Sequence, residues 1–162
     1  MRKIFSMTAI AVSLAFVVPT SSAQTTATAD VTIEVLAVSQ LSVSGDPSTL
    51  TLDTIVGASF TAATNAATTY SFAHNSATNQ QITGILDATY SGAVTLDVLL
   101  EEPAAGGTQS TVTLSTTAQV LMTGIPAASE TGLSITYTAN APSSQAPVTA
   151  ETNTVTFTML DV

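Results

Sequence analysis

From Ala29 to Val43 the odd-numbered positions read Ala, Val, Ile, Val, Ala, Ser, Leu, Val, with polar residues at many of the positions between them. A period of two puts successive side chains on opposite faces of an extended chain, so this spacing predicts a strand with one face turned to a core. The same alternation recurs at 48–56, 68–74, 80–90, 93–100, 110–117, 133–141 and 152–160, with a shorter candidate at 118–124. These segments are rich in Val, Ile, Thr, Tyr and Phe, the residue types that suit a pleated, half-buried surface. Helical spacing is absent after the first two dozen residues.

Turn chemistry separates the strands: SGDPS at 44–48, NSATN at 75–79, YSGA at 90–93, PAAGG at 103–107 and APSSQAP at 141–147. Gly supplies positive φ, and Pro and Asn initiate turns. Val94, Leu96, Val98 and Leu100 share one parity, as do Leu133, Ile135, Tyr137 and Ala139, and as do Val155, Phe157 and Met159. Thr dominates the opposite faces. The expected fold class is all-β, an immunoglobulin-like antiparallel β-sandwich of about 7–9 strands. A membrane β-barrel is the competing class, but beyond the leader only three Phe, three Tyr and no Trp remain to build its aromatic girdles. ASFTAATNAATT, 58–69, reads as a loop, and no fixed-period repeat appears.

The N-terminus changes the picture of where this fold works. Arg2 and Lys3 precede an apolar run from Ile10 to Val18, and Ser21, Ser22 and Ala23 follow Pro19. That order predicts a secretory signal over 1–23, cleaved after Ala23, with an apolar run shorter than the roughly 20 residues of a spanning helix. A single domain is expected over 24–162, with 25–38 as a possible donor strand or N-terminal extension. The expected location is secreted, extracellular or at the cell surface, with the periplasm as an alternative. No membrane insertion is expected after cleavage.

Cleavage removes both basic residues and leaves all eleven Asp and Glu. A surface of one sign cannot neutralise phosphates or dock by charge on an anionic bilayer, so nucleic acid is not an expected partner. There is no cysteine for disulfides or for a lipid anchor.

Catalytic chemistry finds little support. His74 is the only histidine, on the parity of Tyr70 and Phe72, and no G-x-S-x-G turn accompanies it. A structural or solvent-facing role is expected for it. Zinc lacks ligands, and the densest acidic spot, Glu101 and Glu102, lacks the D-x-D-x-D-G pattern of a calcium loop. Carboxylate pairs for glycoside hydrolysis could in principle come from Asp87 with Asp97 or from Glu130 with Glu151, but stacking aromatics are scarce and Trp is absent. No catalytic residue, metal or cofactor is assigned, and the expectation is not an enzyme.

The opening segment raises a question of ownership. Fully extended, 29–43 would span about 50 Å, long for one strand of a small sandwich. Either it bends at Ser39 and Gln40 into two strands of its own domain, or its front half completes a neighbour's sheet by strand addition. A secreted Thr-rich sandwich with an alternating N-terminal extension resembles the subunits of extracellular bacterial filaments: chaperone-usher pilins, spore coat protein U-like proteins and biofilm-matrix fibre proteins. GLSITYTANA and TNTVTFTML resemble the last two strands of the coat-U type, although the disulfide usual in the pilin and coat-U families is missing. The resemblance implies a non-catalytic structural subunit of a pilus-like filament or surface coat, with itself or other cell-surface proteins as partners. Val31, Ile33, Val35 and Ala37 are then the side chains donated across the interface. The alternative is a monomeric secreted module binding calcium or a glycan through the loops at 101–109 or 141–148.

Overall fold

The computed structural model describes residues 27–162, so the expected signal at 1–23 lies outside the described residues. The chain divides into two units, Met1–Glu34 and Val35–Val162. Of the first, residues 27–34 are exposed and lack regular structure.

The second unit is built from antiparallel strands, with no helix among the described residues. In chain order they are β1 (Ser39–Ser44), β2 (Ile55–Val56), β3 (Ser59–Phe60), β4 (Ala63–His74), β5 (Gln80–Leu86), β6 (Thr95–Leu100), β7 (Thr108–Gln109), β8 (Val112–Thr113), β9 (Gln119–Ile125), β10 (Ala128–Asn140) and β11 (Val155–Asp161). One sheet has the order β1-β4-β10-β6-β8, a second β11-β5-β9-β7, and β2 and β3 form a separate ribbon.

Alternating side chains from both large sheets meet in one core. Tyr70 and Phe72 of β4, Leu96, Val98 and Leu100 of β6, and Leu133, Ile135 and Tyr137 of β10 lie against Ile82 and Leu86 of β5 and Leu121, Met122 and Ile125 of β9. Burying a side chain of this size contributes about 1.5–3 kcal/mol, while the alternate polar positions Ser71, Ser134 and Thr136 are only partly buried. Leu121 and Met122 are neighbours in sequence yet both fully buried. The ladder shifts there, Ile82 pairing with Met122 but Thr83 with Val120, and the extra residue of this bulge turns both side chains inward.

Three expectations are corrected. The Ala- and Thr-rich stretch expected as a loop is largely strand: β4 begins at Ala63, because Ala63, Thr64 and Asn65 pair with Ala139, Thr138 and Tyr137 of β10. Partnership with a 13-residue neighbour overrides weak local propensity. β10 likewise starts before Leu133, passing a register shift between Glu130 and Leu133 where Gly132 adopts φ 74°, a left-handed conformation that glycine takes without steric cost. Finally, the strands expected at 29–43 and 48–56 are realised only at Ser39–Ser44 and Ile55–Val56. Residues 29–38 have no ladder partner.

Candidate functional site

Two features set the functional question: the chain leading into β1, and the end of the core where β1 begins. Val31, Ile33 and Val35 are about four-fifths exposed, at 79 %, 82 % and 80 %, and Ala37 is exposed as well. Leu36 and Val38 add further apolar surface. Water around such side chains costs free energy that any covering sheet would recover.

The exit of this segment from the domain is fixed. The Asn75 side chain accepts from the Val38 N–H at 2.6 Å and donates to the Leu36 carbonyl at 2.9 Å. The Asn75 N–H donates in turn to the Val38 carbonyl at 3.2 Å, so the first turn after β4 clasps 36–38.

β1 and β11 are edge strands of the two large sheets and approach each other across the core. Their inward rows are incompletely covered. Leu41 of β1 and Val155, Phe157 and Met159 of β11 are only half-buried, and Val43 of β1 is exposed. The cause is topological: neither strand has a second neighbour, so one flank of each inward row faces water.

Where β1 starts, the core ends in polar side chains. Ser39 stands opposite His74 in the β1–β4 ladder, on the same inward parity as Leu41 and Val43. Its Oγ donates to Oε1 of Gln80 at 2.7 Å, and Nε2 of Gln80 donates to Oδ1 of Asp161 at 2.9 Å. Ser76 and Thr78 also donate to that oxygen. Gln80 is 3 % exposed and His74 6 %. His74 is therefore not solvent-facing, and its ring lies 6.2 Å from that of Phe72. Both ring nitrogens are buried without a hydrogen-bond partner. Unsatisfied buried polar groups are uncommon, and each calls for an explanation.

Five further acidic residues brace loops and strands. With no cation beyond Lys3, carboxylates take backbone N–H groups, hydroxyls and amides as partners. Glu130 accepts from the N–H groups of Ala104 and Ala105 at 2.9 and 2.7 Å, holding the PAAGG turn. Glu101 turns back to accept from Ser134 N–H and Oγ, bonds that hold its carboxyl below the usual range. Asp97 accepts from Thr113 and Asn140, Asp87 from Thr154 N–H, and Glu151 from Ser91 N–H. The members of the pairs Asp87 with Asp97 and Glu130 with Glu151 thus serve different loops and strands. Among the described residues, no group of three or more His, Asp or Glu is placed to hold a metal ion. In the core, burial first and the nearby Glu101 second push the Tyr70 phenol upward, and its hydroxyl donates to the Glu101 carbonyl.

Sequence parity places His74 at the end of an inward row. Gln80 carries the same signal, since Ile82, Gly84 and Leu86 follow it at alternate positions. The meeting of Ser39 and Gln80 across 41 positions has no local signature. Comparison of the chain with protein-family models, with curated proteins and with solved structures found no match.

Proposed function

We propose that this chain is a non-catalytic structural protein of the cell exterior, exported by its N-terminal signal, whose immunoglobulin-like sandwich self-associates by strand addition into a filament or coat. The observation that carries the reading is the row Val31, Ile33, Val35: three large apolar side chains on one parity, exposed and unpaired, directly ahead of the first strand. A water-exposed alternating segment is a hazard unless it is covered. The edge of β11 supplies a complementary surface, with an unpaired backbone row and the half-buried Val155, Phe157 and Met159. A donated strand gains main-chain hydrogen bonds along that edge and places alternate side chains over the open flank. Uniform negative charge works against indiscriminate association of folded domains, which suits assembly through one directed contact.

The test removes residues 25–37 and compares the shortened and full chains by size-exclusion chromatography over a range of concentrations. The full chain is expected to shift to larger species as concentration rises, and the shortened chain to remain a monomer. Two monomers of equal thermal stability would overturn the proposal.

A further inference from the structure

We propose that Ser39 and Gln80 are the two ends of an intramolecular ester cross-link that joins β1 to β5, and hence one sheet to the other, with His74 as the proton carrier. A hydroxyl oxygen and a carboxamide already meet at 2.7 Å. The amide is buried, and Asp161 orients it by holding the nitrogen at 2.9 Å, which leaves the carbonyl side to Ser39. Residues directly opposite in an antiparallel ladder have Cβ atoms about 5 Å apart on one face, so the His74 ring and the Ser39 hydroxyl occupy the same patch. Neither ring nitrogen of His74 is engaged by another group, so the ring is open to serve as the base, which gives the unsatisfied His74 nitrogens a role.

The step balances without an added reagent. The Ser39 hydroxyl turns its hydrogen from Oε1 to an unprotonated nitrogen of His74, and Oγ attacks the Gln80 Cδ. The proton passes to His74 as the Oγ–Cδ bond forms. It then moves to Nε2 as the Cδ–Nε2 bond breaks, and the nitrogen leaves with that electron pair as ammonia while Cδ remains as the ester carbonyl. No electron is gained or lost, and the product is an ester with a carbonyl carbon as sheltered as Gln80 is now. The composition leaves this chain few other staples: there is no cysteine for a disulfide and no lysine beyond residue 3 for an amide link. The link would fix the strand from which the N-terminal segment departs, and its formation does not depend on self-association.

Mass spectrometry of the purified, natively folded full chain tests the inference. Cleavage at acidic residues places Ser39 in the peptide 35–46 and Gln80 in 54–87. The expected result is one species containing both peptides, lighter than their sum by one ammonia and split by hydroxylamine. Cyclisation of a newly exposed Gln24 also releases ammonia, so the joined peptides decide the matter rather than the intact mass. Ser39→Ala, at an exposed position, should yield the two peptides unlinked with the circular dichroism spectrum unchanged. His74→Phe, checked for the same spectrum, should lower the linked fraction at least tenfold. Unlinked peptides from the wild-type chain, or linked peptides in Ser39→Ala, would overturn the cross-link. An undiminished yield in His74→Phe would overturn the role of the histidine.

Discussion

Replacing Asn75 by alanine removes the two side-chain hydrogen bonds that fasten residues 36–38 to the turn after β4, while the backbone bond from Asn75 N–H to the Val38 carbonyl stays available. A typical hydrogen bond contributes about 0.5–1.5 kcal/mol net, and these two are exposed, so the pair is worth roughly 1–2 kcal/mol. That free energy is local, because both bonds are exposed and join residues outside the strands. Opening of the exit should become roughly 5–30 times more frequent. Native-state hydrogen exchange reads this directly. The amide of Val38 should exchange faster by that factor, while those of Ile135 and Val98 keep their wild-type rates. Asn75→Asp retains the acceptor for Val38 N–H but turns a second oxygen toward the Leu36 carbonyl, and should produce an effect of similar size. Unchanged exchange at Val38 in Asn75→Ala would refute the idea that this side chain sets the point of departure. A fall in global stability as large as that of a core truncation would show that the clasp belongs to the cooperative core instead.

Other outcomes follow from the core and from the titrating groups. Ile135, fully buried where both large sheets meet, should cost about 2–5 kcal/mol on truncation to alanine, measured as a fall in the urea midpoint with little change in slope. Glu101 has a folded-state value below its ordinary one, so its contribution is complete above about pH 4.5 and disappears as pH falls through the lowered value. Glu101→Gln should flatten that part of an acid melt. Tyr137 behaves in the opposite sense. Burial first, and Asp46 second, push its phenol up to about 12, so the stability tied to its neutral form persists below about pH 10 and declines as pH rises toward 12. Alkaline denaturation followed at the tyrosinate absorbance should show ionisation and unfolding together.

How far the fold is legible along the chain depends on whether local pattern or distant partnership decides each segment. The rows of β6 and the second half of β10 are readable because burial on one face and Thr on the other leave a period-two imprint: Leu96, Val98, Leu100, Leu133, Ile135 and Tyr137 all lie in the core. Residues 63–67 carry no such imprint, since Ala and Asn are poor strand formers and Thr64 stands alone among them, and pairing with the long β10 recruits them. The paired burial of Leu121 and Met122 depends on a bulge that alternation alone cannot reveal. The opposite failure occurs at 29–38, where the pattern is as regular as any in the chain but the domain offers no partner. A hydrophobic period states what a segment is suited to pair with, and it is silent on which chain supplies the partner. The polar end of the core is half-legible: parity puts His74 on an inward row, Gln80 carries the same signal without standing out as a site residue, and their approach to Ser39 and Asp161 arises from the stacking of two sheets.

Assembly by strand addition is tested most directly by electron microscopy of the mature chain at high concentration, beside the same chain carrying Ile33→Asp. Strand donation predicts filaments with an axial repeat of one domain for the parent chain. It predicts none for the variant, where a carboxylate would have to enter an apolar groove. Filaments of equal number and repeat from both chains, or dispersed single particles from both, would contradict it.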